Sequence, residues 1–420
     1  MCIKVYPSFS KGKIQVPPSK SYMQRALVAG LLTKGYTKIS NPGYSNDDKN
    51  VLHSIEKLGA EISHSGNDLL IKGGLQLKQD KIHAGESGLG IRLLAPVAGL
   101  FNRKITITGE GSLLKRPMHV MERSLNKIGT LCSTNNGYLP VIVKGPMKGG
   151  EIELDGSLSS QFISGLLFAL PRVTNDSILN VKNLKSKPYI DLTLDILKTH
   201  GIKIENNNYK TFYIKGNQQY KPSEHFMEGD WSNGAFLLVA GAINGQVEVN
   251  GLNPNSLQGD KRILEALEEA GVKITSQNSS YKTKKPTHLK AFEFDATETP
   301  DLFPPLACLA ANCNGTSTIK GVKRLIHKES DRAASLINEF FKMGIDIKKI
   351  DDDSLYIKGS TVSGGSFDSH NDHRIAMAGA ILALNSKNPI VIKEHKAVNK
   401  SYPKFFEDLK KLNIKLKEEN

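Results

Sequence analysis

Six times along the chain an amphipathic helical segment stops at a small residue and runs on into a short strand-like stretch. The stops are Gly59, Gly129, Gly201, Gly271, Gly344 and Asn413, spaced 70, 72, 70, 73 and 69 residues apart. Gly or Asn just past an apolar-periodic segment is what a left-handed helix C-cap requires. Six segments of a second kind alternate with these, apolar at nearly every position and rich in small residues: 25–32, 90–100, 162–170, 233–243, 302–311 and 375–384. A helix that is apolar all round is buried on all sides. Polar residues suited to capping precede each one: Ser19-Lys20-Ser21, Glu86-Ser87, Ser159-Ser160-Gln161, Asp230-Trp231-Ser232, Thr299-Pro300-Asp301 and Asn371-Asp372-His373-Arg374. Strand-like alternation fills the gaps, as at 104–110 and 246–251. A fixed period with two helices and several strands per unit restricts the chain to a repeated α/β architecture.

The register of the units predicts how they group. If a unit starts at each apolar helix, the sixth runs over 369–420 and is some 18 residues short; residues 1–18 supply the difference, with strand-like stretches at 3–7 and 12–16. Three units end near residue 226. The expectation is one three-repeat domain over 19–226 and a second joining 1–18 to 227–420. The chain would cross between them near 17–20 and 226–230, with the ligand in the cleft.

Composition narrows the function classes. A hydrophobic content of 39% and a charged content of 23% suit a soluble globular protein. The apolar run 375–384 is far short of a membrane span, and Met1-Cys2-Ile3-Lys4 does not read as a signal peptide. Cys2, Cys132, Cys308 and Cys313 have no metal-ligand or paired spacing, which points to a reducing cytoplasm. The net charge of +14 suits an anionic partner. The lysines are scattered among acids, without a dense basic block or aromatic interleaving, so small anions rather than nucleic acid are expected.

Several helix starts are more polar than capping demands. The stretch 16–25 carries Pro17, Pro18, Ser19, Lys20, Ser21 and Arg25 directly before an apolar run. Free N–H groups, the helix dipole and two cations there favour negative charge. Lys115-Arg116, the run 327–332, Asp372-His373-Arg374 and Lys400-Ser401-Tyr402-Pro403 repeat the theme. Singly, each reads as a solvated helix start. Together they make an electropositive site suited to phosphate and carboxylate groups.

Six of these motifs, in order, carry a resemblance. Pro-x-Ser-Lys-Ser-x-x-x-Arg at 17–25, Lys-Arg-Pro-Met at 115–118, Gly-Ser-x-Ser-Ser-Gln-Phe at 156–162, Ser-Lys-Pro-Tyr-Ile-Asp at 186–191, Lys-Glu-Ser-Asp-Arg at 328–332 and Asn-Asp-His-Arg at 371–374 resemble the 5-enolpyruvylshikimate-3-phosphate synthase family of enolpyruvyl transferases. The resemblance implies an inside-out α/β barrel fold, two domains each of three βαβαββ repeats. It implies transfer of the enolpyruvyl group of phosphoenolpyruvate to the 5-hydroxyl of shikimate 3-phosphate, with neither metal nor organic cofactor, by a cytoplasmic monomer. Carried over by position, Lys20, Asp301 and Glu329 would be catalytic: Lys20 bridging both substrates, Asp301 taking the hydroxyl proton, Glu329 working at the methylene. Lys20, Gly88, Arg116, Gln161, Arg332, Arg374 and Lys400 would hold phosphoenolpyruvate. Ser21, Arg25, Ser159, Ser160, Gln161, Ser186, Tyr189, Asp301 and Lys328 would hold shikimate 3-phosphate. Asp301 and Glu329 are read as lying in the first turns of their helices, kept ionised by dipoles and neighbouring arginines.

The chain departs from the family pattern at Pro18, where Gly is common, and at Glu86 and Leu89, where an amide and a hydroxyl residue are usual. Arg324 stands where Asn is common. Two alternatives are weighed. A UDP-N-acetylglucosamine enolpyruvyl transferase typically pairs its lysine with Asn and uses a loop cysteine; here Ser21 follows Lys20 and no cysteine lies in 100–115. A catalytically silent homologue binding shikimate 3-phosphate would not need Lys20, Asp301 and Glu329 together.

Overall fold

The computed structural model of the chain describes residues 2–419. Twelve α-helices form among them. The apolar set is α1 (Lys20–Leu32), α3 (Gly88–Ala98), α5 (Ser160–Ala169), α7 (Trp231–Asn244), α9 (Phe303–Ala311) and α11 (His373–Leu382). The amphipathic set is α2 (Asn46–Leu58), α4 (His119–Lys127), α6 (Lys187–Thr199), α8 (Ile263–Glu269), α10 (Arg332–Lys342) and α12 (Phe405–Lys411). All six predicted stops have positive φ, from 61° at Asn413 to 125° at Gly59, which is why each needs Gly or Asn.

Most apolar helices begin earlier than their apolar runs, because the polar residues ahead form the cap and first turn. Ser19, Ser87, Ser159, Asp230 and Asp372 each accept a hydrogen bond from an amide of the first turn. The fifth helix differs from expectation. Thr299 makes no such cap; a 3-10 turn, Pro300–Leu302, leads into α9, and Pro304 and Pro305 need no amide partner in its first turn.

The chain divides into two compact units, a contiguous one (Pro18–Met227) and a split one (Met1–Pro17 with Glu228–Asn420). Each has its own hydrophobic core. In the contiguous unit α3 packs on both α1 and α5, and in the split unit α7, α9 and α11 pack on one another. Every residue from Trp231 to Ile243 is buried, and each large apolar side chain so placed contributes about 1.5–3 kcal/mol. Small residues allow the close approach: a Cβ on Gly165 of α5 would lie 1.9 Å from the Arg92 carbonyl oxygen of α3.

Three four-stranded sheets cover each unit. In a complete repeat, strands before and after the apolar helix pair in parallel, and a following hairpin adds two antiparallel strands; 81–144, 151–214 and 293–358 do this within their own sequence. The other three borrow. α1 has no strand ahead of it in the contiguous unit, and Ser223–Phe226 fills the place, parallel to Gly35–Ser40. That leaves α7 without one, and Ser10–Gln15 supplies it, parallel to Gly245–Asn250. Cys2–Val5 lies between Ile390–Lys393 and Leu416–Glu419. The N-terminal segment therefore completes two sheets, where the register argument assigned it to the sixth unit alone.

Candidate active site

In the split unit the site is built around Arg332, the first residue of α10. Its side chain is fully buried, and its guanidinium meets three carboxylates. Nη1 donates to Asp301 Oδ1 at 2.8 Å and Nη2 to Glu329 Oε2 at 2.6 Å, while Nε and Nη2 donate to the two oxygens of Asp372 at 3.0 and 3.2 Å. Lys328 Nζ donates to Asp301 Oδ1 at 3.1 Å, and Arg374 Nη2 to Asp301 Oδ2 at 3.3 Å. Three carboxylates and three cations are thus interlocked in a buried place, where charge-assisted bonds are strong and an uncompensated charge is costly.

This geometry sets the proton affinities. Burial alone would push Asp301 up, but Arg374, Lys328 and Arg332 outweigh it and hold the carboxyl well below its ordinary range. Burial pulls the Lys328 ammonium down, against the attraction of Asp301. Arg332 is raised above its ordinary value, the three carboxylates overcoming its burial. Behind them Asp260, bonded to Ser232 Oγ, is pushed up by burial and by the charge of Asp301. Lys400, at the end of the 3-10 helix His395–Lys400, donates from Nζ to the Asn371 carbonyl at 2.6 Å.

In the contiguous unit the site residues sit at the starts of α1, α3, α5 and α6. Lys20, first in α1, places Nζ 2.9 Å from Asp47 Oδ2. The neighbouring Asp48 is buried, and burial pushes its carboxyl up to about 7. Arg25 is buried beside α6: Nε donates to Thr193 Oγ1 at 2.8 Å, and the Nη atoms to the carbonyls of Ser21 (2.9 Å) and Tyr189 (3.2 Å). Its burial lowers the guanidinium to about 10, so it stays charged at neutral pH. Arg92 Nη1 donates to Gln161 Oε1 at 2.7 Å. Ser159 caps α5, with the buried Ser160 next to it. Ser186, with φ of 58°, turns the chain into α6, and its carbonyl accepts from the Tyr189 amide. Gly88 lies against Arg116: a Cβ there would come within 2.1 Å of Arg116 Nη1.

The structure groups the predicted residues as two sets: Lys20, Ser21, Arg25, Gly88, Arg116, Ser159, Ser160, Gln161, Ser186 and Tyr189 in one unit, and Asp301, Lys328, Glu329, Arg332, Arg374 and Lys400 in the other. Two local placements differ from expectation. Asp301 lies in the 3-10 turn before α9, and Glu329 lies in the loop before α10, whose cap is Asp331. Direct cation contact, rather than a place in a helix first turn, holds Asp301 ionised. Asp372 stood out only as part of a helix-start cluster and had no role of its own; its capping motif hid that one carboxylate both accepts the Arg374 amide and clasps Arg332. Asp47 was missed because nothing in its own segment marks Lys20 as its partner. Glu86 accepts the Ser112 amide at 2.8 Å, and Leu89 is buried. Glu329, Asp372 and His373 bring one ligand atom each within 4.8 Å of one another, a grouping able to hold a metal ion; in this structure the Arg332 guanidinium bonds both carboxylates.

Carboxylates held among arginines and lysines suit an enzyme that moves protons on an anionic substrate. Residues 7–409 match the model of the EPSP synthase (3-phosphoshikimate 1-carboxyvinyltransferase) family. The chain belongs to that family. It is 41% identical over 424 residues to a 3-phosphoshikimate 1-carboxyvinyltransferase of Clostridium novyi (strain NT), covering 98% of this chain and 97% of the relative. The enzyme of that name from Clostridium acetobutylicum is 40% identical over 418 residues, with the same coverage. An EPSP synthase structure from Acinetobacter baumannii superposes with a TM-score of 0.82 at 25% identity, covering 99% of this chain and 100% of that one. The enolpyruvyl transferase NikO from Streptomyces tendae shares the fold, with a TM-score of 0.80 at 16% identity and coverage of 99% and 98%.

Proposed function

We propose that the two clusters divide between them the reaction of this family. The chain transfers the enolpyruvyl group of phosphoenolpyruvate to shikimate 3-phosphate and releases phosphate, a step of aromatic amino acid biosynthesis. The acceptor is its 5-hydroxyl, which must lose a proton as it attacks C2 of phosphoenolpyruvate. The methylene C3 must gain one, and phosphate must then leave a tetrahedral intermediate as the proton transfers reverse. Asp301 takes the hydroxyl proton and Glu329 serves the methylene. Arg116, Arg332, Arg374 and Lys400, with Gly88 and Gln161, hold the donor's phosphate and carboxylate; Lys20 bridges the substrates. Ser21, Arg25, Ser159, Ser160, Ser186, Tyr189 and Lys328 hold shikimate 3-phosphate.

The observation that carries this reading is the sharing of cations around Asp301. Lys328, Arg332 and Arg374 hold its carboxylate ionised and weakly basic. Each is also a natural partner for substrate phosphate or carboxylate. When substrate anions draw these cations, Asp301 loses part of its compensation and its proton affinity rises, as a general base requires. Among the described residues no helix is long and apolar enough to cross a membrane; we place the enzyme in the cytoplasm, as a monomer.

The test is phosphate release from phosphoenolpyruvate with shikimate 3-phosphate, beside a parallel reaction with UDP-N-acetylglucosamine. Release that needs shikimate 3-phosphate supports the reading; release only with the sugar nucleotide, or none from folded protein, overturns it. Arg25→Ala should weaken shikimate 3-phosphate binding about tenfold or more by calorimetry, since a charge-assisted anion contact is lost. Unchanged affinity removes Arg25 from the site.

A further inference from the structure

The turn that delivers Asp372 and Arg374 to the site is held in an unfavourable backbone conformation. His370 and Asn371 are consecutive non-glycine residues with φ of 51° and 54°. Such a pair persists only where the surroundings over-determine it. Beside those of Ser369 with the Lys393 and Glu394 carbonyls, two of the turn's polar contacts lead to one residue, Glu339 of α10. Its side chain is fully buried. Oε2 accepts the amide of Asp368 at 2.9 Å, at the entry to the turn, and Oε1 lies 3.0 Å from His370 Nε2. Lys342 Nζ, one helical turn on, supplies the balancing charge at 2.7 Å.

Glu339 stands two turns along α10 from Arg332, about 10 Å of rigid helix. The helix therefore grips the segment at two points. Arg332 takes Asp372 at the far end, and Glu339 takes Asp368 and His370 at the near end. Between them lies Asn371, whose carbonyl receives Lys400 Nζ. We propose that Glu339, with His370, is a positioning residue for the donor half of the reaction: it fixes the 368–371 turn so that Asn371 directs Lys400 and Asp372 directs Arg332. It touches no substrate itself.

The proposal rests on the assignment of Arg332, Arg374 and Lys400 to phosphoenolpyruvate. Its test is steady-state kinetics of the full chain carrying Glu339→Gln, which keeps size and one acceptor but removes the charge. A loosened anion clamp should raise KM for phosphoenolpyruvate about 10- to 100-fold. KM for shikimate 3-phosphate should stay within about twofold, because its expected ligands lie mainly in the other unit. A KM for phosphoenolpyruvate that stays within twofold overturns the proposal, and so does an equal rise for both substrates, which marks a purely structural role. Should Glu339→Gln fail to fold, His370→Ala, at an exposed position, is read the same way; a smaller rise for phosphoenolpyruvate alone is expected, and no rise overturns the proposal. Wild-type protein in the same assay separates the two failures. If it turns over while the variants match it, only the positioning role falls; if it does not turn over, the functional reading falls first.

Discussion

Arg332→Ala is the most informative single change. The guanidinium makes four hydrogen bonds to three carboxylates and is wholly shielded from water. Its removal takes away the one cation shared by Asp301, Glu329 and Asp372, with Lys328 and Arg374 still at Asp301 and the Ser330 hydroxyl and Arg374 amide still at Asp372. Taking one partner out of a buried charge network costs about 3–5 kcal/mol, because the remaining charges stay buried without compensation. For a unit of this size each kcal/mol lowers Tm by about 2–4 °C, so the transition of the split unit should drop by roughly 6–20 °C. Loss of a fixed donor at an anionic transition state lowers kcat by about 10²–10³-fold. Arg332→Lys should recover part of the stability and little of the rate, since an ammonium cannot span three carboxylates as the planar fork does. Calorimetry and phosphate release on both variants check the argument. An Arg332→Ala protein with a wild-type transition and near-wild-type turnover would refute it.

Other expectations follow from the same contacts. Asp301→Ala or Glu329→Ala should abolish phosphate release while the far-ultraviolet spectrum stays native; wild-type turnover in either removes that residue from the proton transfers. Gly88→Ala would set a Cβ 2.1 Å from Arg116 Nη1. Displacing that guanidinium should raise KM for phosphoenolpyruvate about tenfold or more, and an unchanged value would separate Arg116 from the donor site. His200, packed against His225 Nε2 at 2.9 Å, is pushed down to about 4 by burial and by that neighbour. At His200 the unfolded chain therefore binds more protons between about pH 6.5 and about 4, so this group's contribution to stability falls as pH drops through that window, by roughly 3 to 4 kcal/mol. The raised Asp48 carboxyl acts in the opposite sense over the same range, so the His200 part is read from the difference between the urea midpoints of wild type and His200→Gln, which should shrink toward acid pH; a difference that does not change with pH refutes it.

The repeat was legible because its punctuation is local. Each helix stop needs a left-handed residue, and Gly or Asn at Gly59 through Asn413 announces it. The buried helices were legible because no polar face is needed when every side meets protein. Strand exchange was not, since nothing within Ser10–Gln15 says that its partner is Gly245–Asn250. The site divides similarly. Lys20, Asp301, Glu329, Arg332 and Arg374 stood out as charges at helix starts. The roles of Asp47, Asp372 and Glu339 did not, because they lie in pairings 27, 40 and 31 residues away with Lys20, Arg332 and His370. Asp372 also satisfies a capping rule, and a residue with one sufficient reason to be present draws no second question.

The split unit imposes a schedule on synthesis. Cys2 pairs with Glu419, and Ser10–Gln15 waits for a strand that begins at Gly245. The contiguous unit, by contrast, has all its strand partners once Phe226 has emerged from the ribosome. Residues 2–15 are thus made long before the strands they pair with, and they remain exposed edge-forming segments until those strands appear. A chain stalled or cleaved ahead of Ile390 would keep the anion-binding starts of α1, α3 and α5 in a finished unit and lose both strands that flank Cys2–Val5.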